Sequence, residues 1–384
     1  MNLLQHTFNC SSLLSKIIFH LNTQPEFSAV PKKFSKSEEW DVIVINMKYN
    51  QEHYSGCLIG GAIGDAFGSA VEFISIDAIR EKYGEAGITD LVCAKSGLAE
   101  ITDDTQMTLF TAEGILNAAH SGQDRSIEEA PLRVYHAYLR WLVTQGHPKF
   151  EEHDWVYDSW LLEVKEIHHR RAPGNTCLSA LLSKEIGTFE KPLNHSKGCG
   201  GVMRVAPAGL AYPKELAFKM GAEFAVITHG HPSGYLSAGA LAYIIAAIVE
   251  GNTLEAAVDG SLASLKDYEG HEECKAILEQ TLGLVESDLP DHEAIKKIGE
   301  GWVGEEALAI AIYCALKYQD DFRKAIIASV NHSGDSDSTG AITGNIVGAY
   351  LGLGSIPKEW TPKLELRAVI TKIARDLFDE RYRF

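Results

Sequence analysis

Asp335 and Asp337 stand one residue apart in "NHSGDSDSTGAITGNIVGAYLG" (331–352), among the hydroxyls of Ser336, Ser338 and Thr339. Carboxylates that close repel unless a cation lies between them. A second stretch, "ITDDTQMTLFTAEGIL" (101–116), opens with Thr102, Asp103, Asp104 and Thr105, and Met107, Phe110, Glu113 and Leu116 follow at helical spacing. Helix capping explains either stretch taken alone, because Thr and Asp in a first turn accept backbone N–H bonds and complement the dipole. Two such stretches shift the reading. Four carboxylates and several hydroxyls make an all-oxygen donor set, which suits Mg²⁺, Mn²⁺ or Ca²⁺ better than zinc. Four carboxylates also balance two divalent ions.

Two other readings of "DSDST" meet obstacles. An EF-hand loop would place a bidentate glutamate where Ile346 stands. The aspartyl-nucleophile motif of haloacid-dehalogenase-type phosphatases needs an α/β body behind it, and too little chain follows. In "GGAIGDAFGSAVEF" (60–73), Gly61, Gly64 and Gly68 suit close helix contact, and Asp65 and Glu72, seven apart, are expected on one helix face if the helix persists. In "SKGCGGVMRVAPAGL" (196–210), Gly198, Gly200 and Gly201 either make an ordinary turn or offer backbone N–H groups to a pyrophosphate. Cys199 within it has no base at a fixed offset. His229 and His231 of "THGHP" lack further N or S ligands, which suits a structural role or a polar wall better than zinc. Gly340, Gly344 and Gly348 recur every four residues, the spacing for close packing on a neighbouring helix. That packing is expected to hold the Asp335/Asp337 loop against the Asp103/Asp104 turn.

The elements that must position these groups read as helices. "ALAYIIAAIVEG" (240–251) and "EEALAIAIYCALK" (305–317) are apolar on most faces and are expected to be buried and central, and "ELRAVITKIARDLFDE" (365–380) is a further helix. Only "DVIVIN" (41–46) reads as a strand. With 45% apolar and 23% charged residues over 384 positions, the chain has an ordinary globular composition and enough length for a sizeable core. A net charge of −17 argues against a nucleic-acid or anionic-membrane surface, though not against a small anionic ligand. Seven scattered cysteines without a CxxC pair argue against a disulfide framework or zinc site, and a reducing cytoplasm is expected. No apolar run is expected to reach the ~18 residues of a membrane span, and "SSLLSKIIFHL", broken by Lys16 and His20, is not read as a signal peptide. Residues 1–40 differ from the rest: Leu14, Ile17, Ile18 and Leu21 at helical spacing, then a proline-broken stretch that reads as a linker or arm.

Taken in order, "GGAIGDAFGSAVE", "TDDTQMTL", "GNT", "KGCGGVMRVAPAGL", "THGHP" and "HSGDSDSTGAITGNIVGAYLG" resemble the ADP-ribosylglycohydrolase family over residues 54–354. The resemblance implies an all-α fold, one large orthogonal helical domain over residues 41–384, with two Mg²⁺ (or Mn²⁺) ions at the bottom of a cleft. The implied ligands are Thr102, Asp103, Asp104, Asp335, Asp337 and Ser338. Many members have Thr at Ser338 and Asn at Cys199. Glu72 matches a mobile glutamate that gates the site in some members. The implied activity is release of ADP-ribose from an ADP-ribosylated protein, arginine being favoured over serine, a nucleotide base or free derivatives. It would proceed through an oxocarbenium-like state, with Asp104 or Asp337 as base. Gly198, Cys199, Gly200, Gly201 and His229 would hold the substrate, the glycine loop taking the pyrophosphate. Some bacterial relatives are immunity proteins with an added arm that blocks an ADP-ribosyltransferase toxin, and residues 1–40, with Phe27, Phe34 and Trp40 as anchors, resemble such an arm. The rival expectation is a non-catalytic binding module on a degenerate hydrolase fold, against which the full set of six ligands speaks.

Overall fold

The computed structural model describes residues 50–120 and 127–381. The arm over residues 1–40 and the strand expected over 41–46 lie outside them. The described residues hold fifteen α-helices and no strand: α1 (Gln51–Gly68), α2 (Ile76–Tyr83), α3 (Asp103–His120), α4 (Ala130–Thr144), α5 (Asn175–Leu182), α6 (Ala206–Ala211), α7 (Lys214–Val226), α8 (Pro232–Val249), α9 (Leu254–Leu265), α10 (Glu272–Val285), α11 (Asp291–Ile298), α12 (Gly304–Lys317), α13 (Phe322–Val330), α14 (Ser336–Leu351) and α15 (Arg367–Glu380). The all-α expectation holds.

Glycine sets the central pairing. Helices α1 and α14 run antiparallel with Gly56, Gly60 and Gly64 opposite Gly348, Gly344 and Gly340. A Cβ on Gly64 would stand 1.9 Å from the Gly340 carbonyl oxygen, and one on Gly344 2.0 Å from the Gly60 oxygen. Only two glycine faces can approach this closely. Gly68 extends the register to the Ser336 carbonyl, 2.1 Å from its would-be Cβ. The four-residue glycine spacing thus finds its partner in α1 rather than in the Asp103/Asp104 helix. It fixes the C-terminal end of α1 against the N-terminal end of α14.

Helices α8 and α12 are buried along most of their length, as their all-round apolar character requires. One expectation needs correcting. The 18-residue α8 is long and apolar enough to cross a membrane, yet 83% of it is buried inside the protein, so its apolar surface is satisfied by the core. Helix α15 buries one stripe, Ile370, Ile373, Ala374 and Leu377, at the i, i+3, i+4, i+7 spacing of a surface helix. The described cysteines are all free.

Candidate metal centre and active site

Asp65 organises the first acidic turn. It lies fully buried near the end of α1 and accepts hydrogen bonds from the backbone N–H of Thr102 (3.0 Å) and Thr105 (3.1 Å) and from the Thr105 hydroxyl (2.5 Å). One carboxylate on α1 thereby satisfies donors that the start of α3 would otherwise leave bare. From below, Arg171 donates to the Ile101 carbonyl (2.8 Å) and pairs with Glu365, whose carboxylate accepts the Ile101 N–H (3.1 Å). This clamp presents Asp103 and Asp104 on a rigid backbone. The Gly174 N–H reaches Asp103 Oδ2 at 3.2 Å, and the Asp104 N–H donates to the Thr102 hydroxyl at 3.2 Å.

The second acidic turn is the N-terminus of α14. Asp335 caps it, accepting from the Ser338 N–H (3.3 Å), while Asp337 Oδ1 accepts the same N–H at 2.9 Å. The Asp335 N–H is fixed to the Glu300 carbonyl at 2.8 Å. Carboxylate oxygens of Glu72, Asp335 and Asp337 lie within 4.8 Å of one another. At that separation and an effective dielectric of ~20, each charged pair repels by roughly 3.5 kcal/mol. The consequence appears in the acidities of the carboxyls around Asp337. Burial and Asp337 push Asp65 up to about 7, and burial with Asp337, Asp335 and Asp103 pushes Glu72 up to about 10. Burial and Asp337 hold Asp103, Asp104 and Asp335 well above the usual carboxylate range. Asp335 and Asp103 also act on the same neighbours, so the two acidic turns face each other across one buried cluster.

No cationic side chain among the described residues forms an ion pair with any of these six carboxylates. Asp104 Oδ2 is buried and has no hydrogen-bond partner. An orphaned carboxylate oxygen in a cation-free acidic cluster is what a hard divalent cation fits, and every nearby donor is oxygen save one. The exception is Cys199, whose Sγ lies 2.7 Å from Asp335 Oδ2 and whose thiol is pushed well up by burial and by Asp335 and Asp104. Ser338 is buried beside them, with Met203 Sδ 4.0 Å from its hydroxyl.

The structure therefore brings together Glu72, Thr102, Asp103, Asp104, Asp335, Asp337, Ser338 and Cys199. Gly198, Gly200 and Gly201 form the adjoining turn, whose Gly198 N–H donates to the Ser196 hydroxyl (3.3 Å) and Cys199 N–H to the Trp302 carbonyl (3.2 Å). The glycines also answer a packing need: a Cβ on Gly200 would sit 2.9 Å from His229 Cε1. His229 is neutral, because burial and the Arg204 guanidinium push its pKa down to about 3, and its Nδ1 shares a hydrogen bond with the Thr228 hydroxyl (2.8 Å). Arg204 itself is fully buried, donating to Thr228 Oγ1 (2.7 Å) and Cys177 Sγ (3.3 Å) beneath the turn. His231 caps α8 through its ring, accepting from the Ser233 N–H, and is structural. The helix face expected to carry both Asp65 and Glu72 does not form, because α1 ends at Gly68 and Glu72 lies in the turn beyond it, and the grip of Asp65 on the 102–105 turn had no local signal. The Arg171–Glu365 clamp joins residues 194 apart and leaves no local signal.

A family model described as ADP-ribosylglycohydrolase matches residues 47–383. The chain is 26% identical over 324 residues to the ADP-ribosyl-[dinitrogen reductase] glycohydrolase of Rhodospirillum rubrum, covering 81% of this chain and 90% of that one. It is 26% identical over 331 residues to the ADP-ribosylarginine hydrolase Tri1 of Serratia proteamaculans, covering 84% and 78%. A solved structure named ADP-ribosylglycohydrolase-related protein complex superposes with a TM-score of 0.61 at 25% identity, covering 86% of this chain and 98% of that one. With the family's match running nearly the length of the described residues, this chain belongs to the ADP-ribosylglycohydrolase family.

Proposed function

We propose that this protein hydrolyses the bond between ADP-ribose and a modified protein side chain, arginine before others, with two Mg²⁺ or Mn²⁺ ions held by Thr102, Asp103, Asp104, Asp335, Asp337 and Ser338. The observation that carries the proposal is the buried, cation-free cluster with its orphaned Asp104 oxygen. The arginine linkage draws support from the similarity to a hydrolase named for that substrate. Divalent cations, when bound, neutralise the carboxylates, hold ribose hydroxyls and make water at the site more acidic.

The chain's own residues do the rest. Asp104 and Asp337 face the cluster from opposite turns, so either carboxylate can take the proton of a water attacking the anomeric carbon. The C–N bond breaks as an oxocarbenium-like ribose forms, and its electron pair leaves with the guanidine nitrogen. Glu72, the one member that is not fully buried, covers the cluster and must move for substrate to enter. Neutral His229 and the Gly198–Gly201 turn line the neighbouring wall, where the pyrophosphate would be held. As a second part of the proposal, residues 1–40 bind and block a cognate ADP-ribosyltransferase toxin, making the protein an immunity factor. That part rests on sequence character and is tested by deleting the arm.

The direct test is release of ADP-ribose from an arginine-ADP-ribosylated protein. The wild type with Mg²⁺ should release it, whereas a chelator or Asp335→Ala should abolish release with helical content, read by circular dichroism, unchanged. Release by the chelated protein would contradict the metal-centred account.

A further inference from the structure

Phe73 and Trp302 are exposed aromatic side chains, 67% and 38% accessible, and they stack on each other with ring centroids 5.4 Å apart and planes at 21°. Neither serves the core. Phe73 holds a positive φ of 65°, an uncommon backbone for a bulky residue. Both belong to the rim of the acidic cluster. Phe73 follows Glu72 directly, and Glu72 is the one carboxylate of the six that is not fully buried, so the way in lies on its side. Trp302 comes from the segment between α11 and α12. Its carbonyl accepts the Cys199 N–H at 3.2 Å, and the residue two before it, Glu300, accepts the Asp335 N–H through its own carbonyl at 2.8 Å.

The pair is also lined with acid. The Trp302 indole donates to Glu300 Oε2 at 3.1 Å, and Glu72 adjoins Phe73. Aromatic faces flanked by carboxylates attract a planar, delocalised cation, and a guanidinium stacks on them better than an ammonium does. A serine hydroxyl would gain nothing there, and a nucleic-acid phosphate would be repelled. We propose that Phe73 and Trp302 form the subsite for the modified side chain and select the guanidinium of ADP-ribosylated arginine. The inference rests on the hydrolase reading and deepens it.

The full-length protein with Mg²⁺ tests it. Wild type should favour an arginine-linked over a serine-linked ADP-ribosyl peptide. Trp302→Leu, which keeps apolar bulk but loses the aromatic face, should lower kcat/KM for the arginine linkage by about tenfold, the size of a partly desolvated cation–π contact. Its affinity for free ADP-ribose, which lacks the side chain, should stay within about twofold of wild type on the same reasoning. Trp302→Phe should recover most of the loss, which a damaged fold would not. An undiminished Trp302→Leu, an equal loss of free ADP-ribose binding, no recovery in Trp302→Phe, or a wild-type preference for serine would each overturn the inference while leaving hydrolysis in place. A wild type that releases ADP-ribose from neither peptide would overturn the hydrolase reading and this inference with it.

Discussion

At the scale of single residues, the centre depends on a carboxylate that need not touch substrate or metal. Asp65 receives three donors from the 102–105 turn, so an amide in its place would turn an N–H₂ group toward a donor. Asp65→Asn should therefore weaken Mg²⁺ binding or activity by about 10–100-fold, the usual effect of a residue that orients ligands. Calorimetric titration would measure it, and unchanged affinity would return Asp65 to a purely structural place. Much of this chemistry was legible in the sequence, because Asp103, Asp104, Asp335 and Asp337 stand in short local pairs beside hydroxyls. The environment of Cys199 was not legible: its thiol meets Asp335 from 136 positions away, and no spacing rule connects them. Phe73 and Trp302 drew no notice for the same reason.

At the scale of elements, the α1–α14 pairing turns a glycine pattern into a metal-site scaffold. Gly64→Ala would drive a Cβ into the Gly340 backbone, which cannot swing aside as a side chain can. It should destabilise the protein by about 3 kcal/mol, the upper range for overpacking, and should lower activity by parting Asp65 from Asp337. Gly283→Ala in α10 is the contrasting case. Nothing lies within 4 Å of its would-be Cβ, so helix propensity alone acts and stability should rise by about 0.5–1 kcal/mol. Urea unfolding of both variants checks the pair, and similar effects from the two would undo the packing account. The four-residue glycine spacing was visible in the sequence and its meaning as close packing was correct. Its partner was not visible, because a stripe announces that a helix will be approached closely but not by which helix. The buried character of α8 and α12 was readable directly from their all-round apolar composition.

At the scale of the whole molecule, the cluster ties stability to pH and to cations. The folded acidities of Asp65, Glu72, Asp103, Asp104 and Asp335 lie above the unfolded carboxylate value of ~4, with Asp65 at about 7. Groups raised in this way bind protons more tightly when folded. Their contribution is fully present below pH ~4 and is lost as pH rises through the folded values. The metal-free protein should therefore lose Tm between pH ~5 and ~8, and added Mg²⁺ should restore more Tm at the upper end, where the carboxylates it binds are charged. Thermal scans in chelator and in Mg²⁺ across that range would show it, and a Mg²⁺ effect independent of pH would argue against a cation bound by these groups. The central claim is that two acidic turns, brought together by α1, form one centre for two cations. Its most direct test is anomalous diffraction from crystals grown with Mn²⁺. The account predicts two peaks about 4 Å apart, lying between the Asp103/Asp104 turn and the Asp335/Asp337 turn. Peaks elsewhere, or none between those turns, would contradict it.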